Sequence, residues 1–262
     1  LADLRGPSRF DSSRTASAGP RADLPVLGAA PDFTGNDHWL NTPGARPLSL
    51  EELRGRVVLI DFWTYTCINC LRTLPQLRAW DARYRDDGLT IVGVHTPEFT
   101  FERELDNVER AVRRNRLHYA VAQDNSYDTW NAWGNQYWPA KYLIDRAGHV
   151  RYYHFGEGEY AKTEEAIRTL LGADAPAASG LAEDSPHGLV TPESYLGYQR
   201  LARYSGPEIQ KDAEHDYTFP AKLEDNELSF AGRWKVEGER AIAGRGARLP
   251  EISAAERLGA YA

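Results

Sequence analysis

The sequence has no methionine and only two cysteines among 262 residues. No segment approaches the ~18 apolar residues of a membrane span, and residues 1–24 lack the apolar centre of a signal peptide. An excess of positive charge is also missing, since the formal net charge is -7 at pH 7. This charge argues against nucleic acid or an anionic membrane surface as the main partner. Because no methionine begins the chain, we expect it to be processed, a segment of a longer protein, or a sequence given without its methionines.

The remaining composition is that of an ordinary globular protein, with 42% hydrophobic and 26% charged residues. The length allows one large domain, or a medium domain with an appendage, and a sizeable buried core. Such a chain does not need disulfide staples for its stability. The two cysteines therefore call for a chemical explanation.

Both cysteines lie in the stretch 56–77, RVVLIDFWTYTCINCLRTLPQL. Residues 57–62 are apolar apart from Asp61, which predicts a buried strand, and large apolar residues then recur at every third position, which predicts a helix. A helix N-terminus offers unpaired N–H groups and a partial positive charge, which favour a thiolate. Cys67, at this junction of strand and helix, is therefore a candidate nucleophile.

Two cysteines such as Cys67 and Cys70 can serve as a structural disulfide, as metal ligands or as a redox-active pair. A structural disulfide between them would close a loop too short to constrain the unfolded chain much. A zinc site needs two more ligands, and only His149 and His154 have finger-like spacing. Because residues five apart in a strand point to opposite faces, we expect no metal site. Redox chemistry remains, with one thiolate attacking a disulfide and the other resolving the product. A redox-active Cys67–Cys70 disulfide would then replace any added cofactor.

Composition predicts four segments. Residues 1–24 are rich in Ser, Arg, Ala, Gly and Pro and predict a flexible lead-in. Residues 25–172 alternate strand and helix patterns, and residues 173–192 have the composition of a linker. Residues 193–262 carry aromatic, β-type pieces and predict a small, partial β-rich domain, whose last residues turn helical and Ala-rich.

Within residues 25–172 the element order predicts an α/β fold with a mixed central sheet flanked by helices. Asp87-Gly88 ends the first helix, and a hairpin near Asp145 adds antiparallel strands. The predicted strands are 56–62, 89–94, 119–122, 141–145 and 149–155, and the predicted helices are 68–86, 101–117, one from Asn125, and 159–171. The charges of helix 101–117 are expected to face solvent.

Several residues around the cysteines resemble the active-site region of thioredoxin-fold proteins: Asp61-Phe62-Trp63, Cys67, Cys70 and Pro75. The resemblance covers roughly residues 31–172 and is of the redoxin, or TlpA-like, kind. WTYTCINC together with GVHTPEF is similar to the extracytoplasmic domains fused to, or working with, membrane electron carriers of the CcdA/DipZ type. A jelly-roll-like, carbohydrate-module-like domain follows in those fusions, and SYLGYQR and LSFAGRW resemble its opening. This chain departs from the pattern of that domain after about Gly246.

This resemblance implies roles for individual residues. Cys67 would be the attacking thiol and Cys70 the buried resolving thiol. Asp61 would help to deprotonate Cys70, with a pKa raised by desolvation, although a simpler reading has it bond a backbone group at the strand end. Trp63 would either shield the substrate-binding site or pack in the core. The pair Ile68-Asn69 matches neither the best-known reducing nor the best-known oxidising motif, so it leaves the potential open.

The resemblance also implies a second part of the site, in QYWPAKYLID. Pro139 would have a cis peptide bond and lie against the cysteines, where the backbone beside it pairs with an incoming chain. Trp138, just before it, would shape what can dock and keep metals from the thiolates.

The leading functional hypothesis is a thiol–disulfide oxidoreductase of protein disulfides, on the reducing side, outside the cytoplasm, with a CcdA-type membrane protein as electron donor. One alternative is a peroxiredoxin-like peroxidase, since Thr64 lies three residues before Cys67, although Ile60 stands where that motif has proline. Another is an adaptor that binds glycan or cell wall through residues 186–262 and carries a vestigial redox domain.

Overall fold

A computed structural model describes residues 24–172 and 193–248. The chain divides into two compact units, residues 1–185 and 186–262. The predicted lead-in up to residue 23, the predicted linker and the predicted helical residues at the C-terminus lie outside the described residues. Leu24 is described and is buried in the core of the first unit. The segment boundaries stay predictions.

The first unit is built on one seven-stranded sheet with the strand order β1-β7-β6-β3-β4-β5-β2. β3 pairs in parallel with β4, as β4 does with β5, whereas the other neighbours are antiparallel. The predicted mixed sheet is therefore confirmed. Its strands are β1 (Gly28–Ala29), β2 (His38–Leu40), β3 (Val57–Trp63), β4 (Leu89–His95), β5 (Ala120–Gln123), β6 (Ala140–Ile144) and β7 (His149–Phe155).

Four α-helices accompany this sheet: α1 (Ile68–Tyr84), α2 (Leu105–Arg114), α3 (Asp128–Trp133) and α4 (Tyr160–Leu171). Short 3-10 helices lie at Pro43–Ala45 and Thr100–Arg103. The single helix expected over residues 101–117 is wrong. The Glu102 side chain turns back to accept from the N–H groups of Glu98 and Phe99, which fixes a 3-10 turn, and Glu104 is extended before α2 starts.

β3 lies at the centre of the sheet and is buried along its whole length. Alternate side chains point to opposite faces of a strand. Leu59 and Trp63 pack in a core cluster with α1 and α4, whereas Ile60 and Phe62 pack in the cluster that holds Trp133 of α3. Asp61 shares the face of Leu59 and Trp63, so the only charged side chain of β3 lies in the core beneath α1.

The described part of the second unit holds a three-stranded antiparallel sheet of β8 (Glu214–Tyr217), β9 (Gly232–Val236) and β10 (Ala241–Ala243). Its core contains Tyr217, Phe230, Trp234, Val236 and Ala241. A small, separate β-rich part at the C-terminus is therefore confirmed. In residues 24–172 and 193–248, no helix has the length and apolarity to cross a bilayer.

Gly93 of β4 lies directly beside Asp61 in the parallel register with β3. A Cβ atom added there would lie 3.0 Å from Trp63 Nε1 and 3.2 Å from a ring carbon of Tyr119. We predict that Gly93→Ala lowers the free energy of unfolding by about 1–3 kcal/mol, because buried side chains would have to move. Urea titration would show this as a lower midpoint at unchanged slope. The cost should shrink in a Trp63→Phe background, and equal costs in both backgrounds would contradict the steric explanation.

Candidate active site

Cys67 caps the N-terminus of α1. Its backbone is extended (φ -70°, ψ 115°), and its Sγ atom accepts a hydrogen bond from the N–H of Cys70 at 3.3 Å. Cys67 is half-buried, whereas Cys70, one turn into the helix, is fully buried, and both are free thiols. The predicted junction of strand and helix is therefore present, with one cysteine partly exposed and the other fully buried.

Cys70 is the sulfur that needs help to ionise. Burial raises the pKa of its thiol well above the usual range, and the neighbouring Cys67 and the negative charge of Asp61 raise it further. A thiol must lose its proton before it can attack a disulfide. A base near Cys70 would therefore be required for it to act as the resolving thiol.

Asp61 is the candidate for such a base. It has no exposed surface, and neither of its carboxylate oxygens has a hydrogen-bond partner among the described residues. The expected alternative, a carboxylate bonded to a nearby backbone group, is not what the structure shows. Burial raises the pKa of Asp61 to about 7, against the opposing effect of the Lys141 cation. A carboxyl group that titrates near neutral pH suits proton exchange.

Lys141 of β6 is a part of the site that sequence reasoning missed. Its Nζ atom lies 3.9 Å from Asp61 Oδ1, and neither side chain has any exposed surface. The two residues are directly opposite in the antiparallel register of β3 and β6. Burial lowers the pKa of Lys141, while Asp61 and Cys70 act to raise it. A lysine inside the otherwise apolar strand AKYLI was the available signal.

Glu102 was also missed, because it was expected to face solvent on an amphipathic helix. It is fully buried and accepts hydrogen bonds from the Thr66 hydroxyl at 2.6 Å, the Thr66 N–H at 3.3 Å, and the N–H groups of Glu98 and Phe99. Tyr65 OH adds a bond to the Phe101 carbonyl at 3.1 Å. These bonds hold the loop before Cys67 against the 3-10 turn.

The bond between Trp138 and Pro139 is cis, as expected. Phe62 pairs with Ala140, so Pro139 lies at the end of β3, where the loop to Cys67 begins. Trp138 is half-buried, donates from Nε1 to the Thr96 carbonyl at 3.0 Å, and packs on Trp130 with ring centroids 4.2 Å apart. The fold therefore brings this distant segment to the cysteine end of the sheet.

Trp63 is a core residue in this structure. It has no exposed surface, and its ring packs in a T-shaped arrangement with the His95 ring, with centroids 5.2 Å apart. Tyr65 stacks on the same His95 ring, with centroids 5.5 Å apart. Burial lowers the pKa of His95 to about 3, so this ring is neutral near pH 7. Of the two roles expected for Trp63, packing is visible here, and a contact with substrate stays a prediction.

Metal ligands are not gathered at the cysteines. Across the two described ranges, no three side chains of His, Cys, Asp or Glu are grouped so that they could hold a metal ion.

Comparison with known families agrees with this geometry. A family model described as the AhpC/TSA family matches residues 26–153, and one described as a thioredoxin like C-terminal domain matches residues 191–258. This chain carries a thioredoxin-like redoxin domain. The solved structure of a thioredoxin-like superfamily protein superposes with a TM-score of 0.51 at 28% identity, covering 57% of this chain and 99% of that one.

Two curated relatives extend the comparison. Protein DipZ of Mycobacterium bovis is 41% identical over 228 residues, which are 84% of this chain and 33% of DipZ. The thiol-disulfide oxidoreductase YkuV of Bacillus subtilis is 27% identical over 142 residues, which are 54% of this chain and 93% of YkuV. The chain thus spans a third of the length of DipZ, whereas its redoxin domain corresponds to nearly all of YkuV.

The buried carboxyl group predicts a pH-dependent stability. Asp61 has a pKa of about 7 when folded and an ordinary value of 3.8, so the folded state binds this proton more tightly and loses stability as the pH rises from about 4 to about 7. We predict that Asp61→Asn removes this loss. Its stability relative to wild type should rise across that interval by about 4 kcal/mol, which corresponds to the raised pKa of Asp61. Urea titrations at several pH values would test this, and a pH-independent difference would contradict it.

Proposed function

We propose that this chain is a thiol–disulfide oxidoreductase that reduces protein disulfides through Cys67 and Cys70. The observation that carries the proposal is the arrangement of an accessible Cys67 at a helix N-terminus, a buried Cys70 one turn later, and a buried Asp61 that titrates near neutral pH. The name of YkuV, which matches this domain along almost its whole length, supports the same reaction class.

The first step is an attack by the Cys67 thiolate on a substrate disulfide. One substrate sulfur becomes bonded to Cys67 Sγ, and the other leaves as a thiolate that takes a proton from solvent. The Cys70 N–H that points at Cys67 Sγ, together with the end of α1, stabilises negative charge at this sulfur.

The second step resolves the mixed disulfide. Asp61 takes the proton of Cys70, the Cys70 thiolate attacks Cys67 Sγ, and the second substrate sulfur leaves. The substrate has then gained two electrons, and the Cys67–Cys70 pair has become a disulfide, so no added cofactor is involved. A dithiol donor must supply two electrons to restore the pair. The resemblance of WTYTCINC and GVHTPEF to domains that work with membrane carriers of the CcdA/DipZ type, together with the similarity to DipZ, supports a CcdA-type membrane protein in that role and a site of action outside the cytoplasm.

Substrate binding is proposed for the surface beside the cysteines. Trp138 and Pro139 border the loop before Cys67, and Tyr137 next to them is 46% exposed. An extended chain bound there would bring its disulfide to Cys67 Sγ. Trp63 would support this surface from beneath, since it lies inside the core. Carbohydrate contact through residues 193–262 stays a secondary proposal.

The peroxidase alternative has less support from the geometry. The Thr64 hydroxyl is buried and lies 3.3 Å from His95 Nε2, and Ile60, in the proline position of the peroxidatic motif, is a core residue. Rapid loss of thiols with near-stoichiometric peroxide would revive this alternative. Binding to a glycan array by residues 186–262, without thiol activity in the whole chain, would favour the adaptor.

The first functional prediction concerns the two cysteines. With dithiothreitol as electron donor, wild type should accelerate insulin reduction, and Cys67→Ser should lose this activity because no attacking sulfur remains. Cys70→Ser should instead accumulate a mixed disulfide with substrate, visible by non-reducing electrophoresis and mass spectrometry. Equal activity in wild type and Cys67→Ser would refute the proposal.

The second functional prediction concerns the direction of electron flow. A protein that works as a reductant should have a reduction potential nearer to that of thioredoxin, about -270 mV, than to that of DsbA, about -120 mV. Equilibration with glutathione or dithiothreitol buffers, followed by quantification of the free thiols, would measure it. A value at the DsbA end would assign the chain to oxidation.

A further inference from the structure

Three titratable side chains stand in one row across the sheet. Asp61 of β3 lies directly opposite Lys141 of β6, and Lys141 lies directly opposite His154 of β7. Directly opposite residues of antiparallel strands project to the same face with Cβ atoms about 4.5–5.5 Å apart. The row therefore runs on the face that packs against α1, from beneath Cys70 toward β7.

The inner half of the row is sealed from solvent. Asp61 and Lys141 are both fully buried and 3.9 Å apart, and the other contact of the Lys141 ammonium group is the Gly156 carbonyl at 3.5 Å. Asp61 has no hydrogen-bond partner among the described residues. Lys141 is therefore the cation that faces Asp61 from the neighbouring strand.

The outer half of the row reaches the surface. His154 is half-buried, and its Nε2 atom lies 3.3 Å from the Glu157 carbonyl. The Glu157 carboxylate forms an ion pair at 3.1 Å with Arg72 of α1, and these two side chains are 15% and 25% exposed. The row thus ends at a polar group that water reaches, two strands away from the point where it begins.

We propose, on the basis of the function proposed above, that the row Asp61, Lys141 and His154 carries the proton released by Cys70 to solvent. Lys141 and His154 are positioning residues, because they act on Cys70 only through Asp61. The row also explains why a lysine occupies a fully buried position in an otherwise apolar strand.

The proton transfers balance. Cys70 gives its proton to the Asp61 carboxylate and attacks Cys67 Sγ as a thiolate. The Lys141 ammonium group, now beside a neutral acid, passes a proton to neutral His154, which releases it to water. Protonated Asp61 then returns its proton to the Lys141 amine, which restores the starting pair. One proton has left the protein for one thiol consumed.

Burial makes the two outer members of the row better proton donors. It lowers the pKa of Lys141, which favours loss of a proton from the ammonium group, and burial and the Lys141 charge lower the pKa of His154, which favours release of a proton to water. Charged or titratable groups on the surrounding elements also interact with the row or its ends: Cys67, Cys70 and Arg72 around the start of α1, Tyr119 before β5, Glu157 after β7, Glu159 before α4 and Lys162 in α4.

The test uses single-turnover reaction of the reduced full chain with Ellman's reagent. The first release of thionitrobenzoate reports the attack by Cys67, and the second release reports the resolution by Cys70. The two steps are therefore read separately in one stopped-flow trace. Wild type should show both releases, and the rate of the second should rise with pH as Asp61 ionises.

Lys141→Met should move the pH dependence of the second release. Without the cation, ionisation of Asp61 requires a higher pH, so the second release should slow about tenfold near pH 7 and approach the wild-type rate in alkaline solution. The first release should stay within about twofold of wild type. Lys222→Met, which removes an exposed lysine of the second unit, is the matched control and should leave both releases unchanged.

His154→Gln tests the outer half and does not depend on the fold of the lysine variant. The second release should slow about fivefold at every pH with an unchanged midpoint, and added imidazole should restore it, because a small base can replace a lost proton carrier. His149→Gln, at the other end of β7, is the matched control. A structural role alone would not be rescued by imidazole.

The outcomes separate the two proposals. A wild-type chain without a second release would overturn the oxidoreductase function itself. A wild-type chain with both releases, and a Lys141→Met profile that coincides with it, would overturn the inner half of the row. A His154→Gln variant that keeps the wild-type rate, or that imidazole does not rescue, would overturn the outer half.

Discussion

The site depends on a carboxyl group placed where its charge is costly. Transfer of an ionised carboxylate from water into a protein interior costs several kcal/mol unless partners compensate it. Asp61 has no hydrogen bond from the described residues, and its cation lies 3.9 Å away, beyond hydrogen-bond distance. The group is thus kept near the point where its charged and neutral forms have equal free energy, which is the condition for exchanging protons at neutral pH.

Glu102 is a second fully buried carboxylate beside the loop before Cys67, and its hydrogen bonding differs from that of Asp61. Both carboxylates are fully buried. Glu102 accepts four hydrogen bonds and fixes the backbone of that loop, whereas Asp61 accepts none from the described residues. The first arrangement is typical of a structural carboxylate, and the second of one that changes its charge during a reaction.

Particular residues show how far the sequence could predict this arrangement. Cys67, Cys70, β3 and α1 were predictable because a continuous apolar run and the three-residue spacing of large apolar side chains are local patterns. The position of Pro139 beside the cysteines came from resemblance alone. The single helix predicted over residues 101–117 is wrong, because a side chain that turns back to its own backbone leaves no trace in an amphipathic pattern.

The Lys141 contact could not be predicted for a different reason. A lysine in a strand has no partner until the strand order and the register are known, and a shift of one residue would turn Lys141 to the other face of the sheet. The strand order places β6 between β3 and β7. Only this order makes Lys141 the neighbour of both Asp61 and His154, although Asp61 is 80 residues away in the sequence.

The same geometry links the redox state of the cysteines to proton binding. A thiolate at Cys70 is a negative charge near Asp61, and negative charges near a carboxylate favour its protonated form. By thermodynamic reciprocity, a protonated Asp61 must then stabilise the thiolate at Cys70 by the same free energy. Because burial raises the pKa of Cys70, this thiolate is present only during resolution, and formation of the disulfide removes it. Asp61 therefore holds its proton most tightly while the Cys70 thiolate exists and less tightly once the disulfide has formed.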